Sequence, residues 1–277
     1  MPKEIKNLPS AHQIAITGGE ELVKMSANIT GRILRQSGFN LNFAPVLDIK
    51  RFGDNHAIGD RSFGNNKEDV TKFGITAMRE LQKNKVISVI KHFPGHGATK
   101  QDSHNFLPVI NEKIENLEKE DMYPFEQAIK NGADVVLVGH LLIKNITGIY
   151  PASLSRKFII KYLRLKYRYN GVIITDDLKM RAIKLLYGVK LAVRKAFEAG
   201  NDIIVFRYNS KEEIEVIEQI ISLVNKGKIK ENRINKSVKR IIQLKSKYDI
   251  SDSEKITGIE IEKINEEIEE IRKKCNI

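Results

Sequence analysis

The stretch DVVLVGH, Asp134 to His140, is an apolar run of strand length that ends in a histidine. The run is nearly continuous in hydrophobicity and rich in valine, as is typical of a parallel strand buried on both faces. Four further runs of the same kind lie at 41–49, 86–93, 171–177 and 202–206. We therefore predict that Asp134 to His140 is one strand of a parallel sheet.

Amphipathic segments separate these runs, and each has the length and periodicity of a helix. They lie at 18–38, 67–84, 113–131, 155–168, 181–199 and 211–226. The alternation of strands and helices predicts an α/β fold with right-handed crossovers. Two more helices are predicted at 231–250 and 258–277, and an isoleucine stripe on the last one is expected to pack on the domain.

Composition excludes several classes of protein. The chain has 277 residues, of which 41% are apolar and 30% charged, so it has enough apolar material for a sizeable core. No apolar run reaches the length of a membrane-spanning helix, and the N-terminal residues show no apolar signal region. The lone cysteine, Cys275, excludes an internal disulfide and predicts a cytoplasmic location.

The net charge of +12 raises the hypothesis of nucleic-acid binding. The lysines are spread through helical segments, however, and no aromatic stacking platform lies among them. A solvated basic surface is the simpler interpretation. We therefore expect neither a nucleic acid nor a membrane as a partner.

Polar side chains follow the apolar runs at the points where the predicted strands end. These residues are Asp48, His92, His140, Asp176, Asp177 and Arg207. In parallel α/β folds the carboxyl ends of the strands carry the functional site. Any one of these groups could be structural, but their recurrence at the same end predicts a pocket there.

The segment KHFPGHGATKQDSH, 91–104, contains three histidines and an aspartate. His92 and His96 have the spacing of a helical zinc site, but Pro94 between them makes a helix unfavourable, so no metal is expected. Asp102 and His104 are close enough in the chain for the carboxylate to orient the imidazole, which suits acid/base catalysis near neutral pH. The alternative, that DSH only forms a turn, stays open on these residues alone.

Four motifs occur in order: NFAPVLDI, IGDRSFG, KHFPGHG with DSH, and ITDDLKM. Together they resemble the glycoside hydrolase family 3 β-N-acetylglucosaminidases, which trim N-acetylglucosamine from peptidoglycan fragments. The resemblance runs from about Leu8 to residue 207. It implies a TIM-type (β/α)₈ barrel and a retaining glycosidase that needs neither a metal nor an organic cofactor.

The resemblance also implies the catalytic residues. His104 would protonate the leaving oxygen and then activate water, while Asp102 orients it. Asp176, the first aspartate of ITDDLKM, would be the nucleophile that forms a glycosyl-enzyme intermediate. Asp177 would point away from it by strand alternation and cap the next helix.

Four further residues match the sugar-contacting positions of the family. Lys91 and His92 correspond to a pair that hydrogen-bonds sugar hydroxyls, and Arg61 to an arginine that contacts the sugar. His140 resembles a histidine that lines the pocket. For Lys91 and Arg61 the alternative is a surface salt bridge. His96 is expected to shape the loop, and Asp48 to be structural.

The sequence departs from the family pattern at its N-terminal end. Family members carry three further strands and a DQEGG-type segment before the position of Leu8, and about five of eight strands are recognisable here. We therefore predict an N-terminally truncated barrel at 1–250, followed by a helical extension at 251–277. Open edges would make such a sheet prone to self-association, or to completion by a second chain.

Three explanations of this departure stay open: an incomplete gene model, a second polypeptide that supplies the strands, or a decayed remnant with at most a sugar-binding or structural role. A phosphorylase is a further alternative within the enzyme class, because a histidine acid/base tolerates an anionic phosphate acceptor better than a carboxylate does.

Overall fold

The computed structural model describes residues 3–51, 57–99, 107–207, 210–251, 256 and 258–277. Four parallel strands form its main sheet in the order β1-β2-β4-β6. Their bounds are β1 (Leu41–Asn42), β2 (Ile87–Phe93), β4 (Val135–Val138) and β6 (Val172–Thr175). A small second sheet pairs β3 (Val109–Ile110) with β5 (Leu142–Ile143).

Two isolated parallel bridges extend the main sheet. Val46 bridges to Lys91 in β2, and Ile174 in β6 bridges to Ile203. The predicted run at 202–206 therefore lies beside β6, so all five predicted runs are neighbours in chain order. This order, with helices between the strands, is that of a (β/α) barrel, and the predicted fold class is confirmed.

Eleven α-helices lie within the described ranges. Their bounds are α1 (Ala11–Gln36), α2 (Lys67–Lys83), α3 (Ile114–Lys119), α4 (Tyr123–Lys130), α5 (Lys144–Thr147), α6 (Arg156–Phe158), α7 (Arg181–Tyr187), α8 (Val189–Ala199), α9 (Ser210–Asn225), α10 (Glu231–Lys247) and α11 (Ile261–Lys274). A π-helical segment, Ile159–Lys166, continues α6.

Two of the predicted helices are broken in the structure. The one predicted at 181–199 divides at Gly188, whose φ of 67° lies in the left-handed region that ends a helix. The one predicted at 113–131 divides after α3, where Asp121 turns inward and its carboxylate lies 2.8 Å from the Arg51 guanidinium. Periodicity alone does not reveal either interruption.

Side chains of the sheet alternate between two hydrophobic clusters. Ile90, Val136 and Ile173 pack on one face with residues of α1, α2 and α4. The other face carries Val89, Val135, Leu137 and Ile174, together with Leu244 and Tyr248. Both faces are buried, which explains why the strands read as continuous apolar runs.

Helix α10 lies across the amino ends of the strands. The hydroxyl of Tyr248, the residue after the helix, donates to Asp134 just before β4 at 2.6 Å. Arg240 contacts Asp202, the first residue of the run at 202–206, at 3.0 Å. These contacts lie at the amino ends of the strands. The carboxyl ends therefore lie at the opposite edge of the sheet, away from α10.

The last helix packs on the first, as its isoleucine stripe predicts. Ile264, Ile268 and Ile271 of α11 are buried in the same cluster as residues of α1. The Arg32 guanidinium lies 2.5 Å from the Glu267 carboxylate across this contact. A domain boundary at residue 250 stays a prediction.

Candidate active site

A buried hydrogen-bond network centred on a carboxylate occupies the carboxyl ends of the first two strands. Asp48 is fully buried, and its Oδ2 lies 2.7 Å from Nδ1 of His92. Its Oδ1 accepts from the backbone N–H of His96 at 2.7 Å. Burial opposes ionisation of Asp48, but the imidazole of His92 and the N–H of His96 outweigh it and hold the pKa below its ordinary value.

This network sets the tautomer of His92. A carboxylate can only accept, so Nδ1 carries the proton that it donates to Asp48. Within the described residues Nε2 of His92 has no hydrogen-bond partner, and 11% of the side chain is exposed. Nε2 is therefore the atom of His92 that a ligand could reach.

Asp176 lies directly after β6. Its Oδ1 accepts the backbone N–H of Asp177 at 2.8 Å, whereas Oδ2 has no partner among the residues that the structure describes. Burial opposes its ionisation, but the imidazoles of His140 and His92, the Asp177 N–H and Lys91 together keep the pKa of Asp176 below its ordinary value. The carboxylate is ionised at neutral pH and one oxygen remains open to a ligand.

Asp177 is turned away from Asp176, as strand alternation predicts. Its Oδ1 accepts the backbone N–H of Lys179 at 2.9 Å and that of Arg207 at 3.1 Å. The Arg207 guanidinium lies 3.3 Å from Oδ2. Asp177 therefore connects the turn after β6 with the residue that follows the run at 202–206.

His140 follows β4 and is almost fully buried. Its Nδ1 lies 2.7 Å from the Ser153 hydroxyl and its Nε2 lies 3.1 Å from the Asp177 carbonyl. Burial lowers the pKa of His140, so the ring is neutral. Because protein groups occupy both nitrogens, a sugar could bind the ring only by displacing one of them.

Lys91 and Arg61 face a cavity of about 460 Å³ between α1 and the strand-end segment 42–46. Burial and the charge of Arg61 lower the pKa of Lys91, against the attraction of Asp176. The Arg61 guanidinium donates to the carbonyls of Ala57 and Ile58. Among the described residues no carboxylate forms a salt bridge with Arg61 or Lys91, which was the alternative. The rest of the cavity wall is mostly apolar.

The predicted acid/base pair, Asp102 and His104, lies outside the described residues. The residues on either side of that segment are described, and they lie near the site. Thr99 is buried and follows the His96 turn, and Leu107 packs in the cluster that contains Leu178.

Arg51 forms two ion pairs with residues near this segment. Its guanidinium lies 2.8 Å from Glu112, which follows β3, and 2.8 Å from buried Asp121. Burial raises the pKa of Asp121 to about 7, although Arg51 opposes the shift. The contacts of Arg51 with Glu112 and Asp121 connect the chain after the first strand, the chain after β3 and the start of α4.

Replacing Gly97 by alanine should distort the site. A Cβ there would lie 1.8 Å from the Ile49 carbonyl oxygen, which is backbone and cannot rotate aside. We expect the free energy of unfolding to fall by at least about 1–3 kcal/mol, measured by urea denaturation. Gly64→Ala is the matched control, because its nearest neighbour would lie at 3.3 Å and could shift slightly. Equal stability of the two variants would contradict this prediction.

Two residues of the site make contacts that the sequence analysis did not indicate. Asp48 is the partner of both His92 and His96, and its position at a strand end was a signal of this role. Ser153, which contacts His140, lies 13 residues further along the chain in a 3-10 turn. Neither a motif nor a spacing distinguishes Ser153 from other serines.

Comparison with known proteins places this geometry in a family. Residues 2–244 match the glycosyl hydrolase family 3 N terminal domain. Beta-hexosaminidase LpqI of Mycobacterium tuberculosis is 34% identical over 243 residues, which cover 86% of this chain and 62% of LpqI. A glycoside hydrolase family 3 beta-N-acetylglucosaminidase from Paenibacillus sp. str. FPU-7 superimposes with a TM-score of 0.92 at 34% identity, over 99% of this chain and 53% of that one.

The chain thus spans less than two thirds of the length of these two relatives. The matched residues nevertheless include all the strands of the main sheet and every strand-end group of the site. The chain belongs to glycoside hydrolase family 3.

Proposed function

We propose that this chain carries the active site of a retaining glycosidase that removes terminal β-linked N-acetylglucosamine from peptidoglycan-derived or related glycosides, as in cell-wall recycling. The observation that supports it most is the ionised, largely enclosed Asp176 with one oxygen open to a ligand. The names of the two relatives above, a beta-hexosaminidase and a beta-N-acetylglucosaminidase, indicate the sugar.

In the first step Asp176 Oδ2 attacks the anomeric carbon and forms an ester bond to the sugar. The bond to the leaving oxygen breaks, and that oxygen takes a proton from His104, which Asp102 orients. In the second step water attacks the anomeric carbon and gives its proton to His104. The ester bond breaks and Asp176 leaves as a carboxylate, so the configuration of the sugar is retained.

The remaining predicted residues hold the sugar. Nε2 of His92, kept in one tautomer by Asp48, is available to a hydroxyl group. Lys91 and Arg61 provide positive hydrogen-bond donors at the cavity edge. His140, held between Ser153 and Asp177, contributes to the pocket wall rather than through a free ring nitrogen.

The decisive assay is hydrolysis of a chromogenic β-N-acetylglucosaminide by the purified chain, with the matching β-glucoside as the control substrate. We expect the first substrate to be cleaved and the second to be cleaved much more slowly. Product analysis with and without phosphate distinguishes hydrolysis from phosphorolysis. A folded chain that cleaves neither substrate would contradict the enzymatic proposal.

The alternative is a fragment or remnant with at most a sugar-binding or structural role. The observation that favours it is the apolar cavity beside β1, which lies at an edge of the main sheet among the described residues. A strand edge without a partner among the described residues, next to such a cavity, is a surface that further strands could cover. We propose that self-association or a second chain completes the barrel, and light scattering during the assay tests this.

None of the helices in the described ranges has an apolar stretch that would span a bilayer. A cytoplasmic location, based on the lone cysteine, stays a prediction.

A further inference from the structure

We infer that Ser153 and His140 are positioning residues that hold the backbone of Asp177, so that one carboxylate oxygen of Asp176 is occupied and the other is presented for attack. The inference rests on the proposed function of Asp176. It is carried by a continuous series of hydrogen bonds from buried Ser153 to the Asp176 carboxylate.

The first link is the orientation of the His140 ring. A carbonyl oxygen can only accept, so the 3.1 Å contact with the Asp177 carbonyl requires a proton on Nε2. In the neutral ring Nδ1 then accepts, and the Ser153 hydroxyl 2.7 Å away donates to it. Ser153 thus selects the only neutral tautomer that can hold the Asp177 carbonyl.

The second link is the rigidity of Ser153 itself. The residue is fully buried in a 3-10 turn, Ala152–Leu154. Its carbonyl accepts from the side-chain amide of buried Asn201 at 2.8 Å. The preceding backbone N–H, that of Ala152, donates to the Leu141 carbonyl at 2.8 Å. The hydroxyl is therefore fixed relative to the end of β4.

The third link is the immobilised backbone of Asp177. Its carbonyl accepts from both His140 and the Met180 N–H, the latter at 3.0 Å. Its own N–H donates to Asp176 Oδ1 at 2.8 Å. The preceding peptide group is held as well, since the Asp176 N–H donates to the Val138 carbonyl at 3.1 Å. The Asp177 N–H between the two therefore stays on Oδ1, and Oδ2 is the oxygen left for the anomeric carbon.

Breaking the series of hydrogen bonds from Ser153 to Asp176 would change both the ionisation and the geometry of the Asp176 carboxylate. The groups that act on this carboxylate are His140, His92, Lys91 and the Asp177 N–H, all against a strong opposing effect of burial. His140 also acts on this carboxylate through geometry, because its ring holds the Asp177 backbone whose N–H donates to Oδ1. Without that bond the pKa of Asp176 rises, and the acidic limb of the activity profile moves to higher pH.

The test compares Ser153→Ala with Ser88→Ala, a serine that is equally buried in β2 and outside this series. For Ser153→Ala we expect kcat to fall about tenfold with little change in KM, and the acidic limb of kcat/KM to rise by about 0.5–1 pH unit. Ser88→Ala should leave both unchanged. Ser153→Thr, which keeps the hydroxyl, should recover most of the activity.

A second pair of variants covers the case in which Ser153→Ala fails to fold. His140→Phe keeps the ring volume and removes both hydrogen bonds, whereas the amide of His140→Gln can still donate to Asp177. We expect the pH shift in the first and a smaller one in the second. A lowered Tm with unchanged kcat and an unmoved acidic limb in folded Ser153→Ala or His140→Phe would overturn the inference.

Carboxylate carbon-13 NMR separates this inference from the proposed function. The Asp176 resonance, assigned with Asp176→Asn, gives the pKa of that group whether or not substrate is cleaved. A higher pKa in Ser153→Ala supports the series even if the wild-type chain is inactive, and an unchanged pKa overturns it even if the chain is active.

Discussion

Asp176→Asn is expected to lower kcat/KM for a chromogenic β-N-acetylglucosaminide by on the order of 10⁴-fold or more. The amide has the shape of the carboxylate and can still accept the Asp177 N–H through its oxygen. It cannot form the ester with the anomeric carbon, so the loss isolates the nucleophilic role. Initial rates of the folded variant measure it.

Asp249→Asn is the matched control, because Asp249 is 76% exposed and its carboxylate pairs with the exposed Lys85 before β2. It should retain full activity. An Asp176→Asn variant that keeps more than about a hundredth of the activity would exclude Asp176 as the nucleophile.

Azide provides a second test of Asp176 as the nucleophile. Asp176→Gly leaves a space at the nucleophile's position, and azide can enter it and attack the anomeric carbon directly. The expected product is an α-glycosyl azide, since a single displacement inverts the configuration. Formation of the β-azide instead would contradict attack from the Asp176 side.

The lowered pKa of Asp176 predicts how activity depends on pH. The folded pKa of Asp176 lies below its ordinary value, so the reactive carboxylate is present throughout the neutral range. Activity that depends on it is lost only as the pH falls through that lowered value. A loss near neutral pH on the acidic side would have to come from another group.

The second large effect is expected from Asp48→Ala. The substitution leaves the Nδ1–H of His92 and the backbone N–H of His96 without their acceptor in a fully buried site. Two buried donors left without their acceptor together cost about 2–6 kcal/mol. We expect a loss of that size in the free energy of unfolding, measured by urea denaturation at pH 7.

The contribution of Asp48 has its own pH window. Its folded pKa is lowered, so its stabilisation is complete above the unfolded value, near 3.8, and is lost as the pH falls through the folded pKa. The difference from the wild type should therefore be fully present at pH 5 and above. Asp249→Asn should change stability by less than about 0.5 kcal/mol. Equal stability of the two variants would show that Asp48 is not the centre of this network.

The activity of Asp48→Ala tests whether the carboxylate fixes the tautomer of His92. If the carboxylate fixes the tautomer of His92, the variant that remains folded should bind substrate more weakly, because Nε2 is no longer reliably the free nitrogen. We expect KM to rise more than kcat falls. The opposite pattern would place His92 in the chemical step instead of in sugar binding.

Much of this protein can be predicted from its sequence. Each run of valine and isoleucine became a member of one parallel sheet, because such runs are stable only where both faces are covered. Since parallel strands end on one side of a sheet, the polar residues that follow them gathered there. Asp176 and His92 were predicted from that rule and from the family motifs, and Lys91 from the motifs alone.

Only the tertiary structure decided which of these residues contact one another. The pairing of Asp48 with His92 spans 44 residues and that of His140 with Asp177 spans 37. Such hydrogen bonds form only when segments that are far apart in the chain are positioned to within a few tenths of an ångström. Residue order and periodicity determine which face or end of the sheet a side chain occupies, and packing of the sheet determines its partner, as with Ser153.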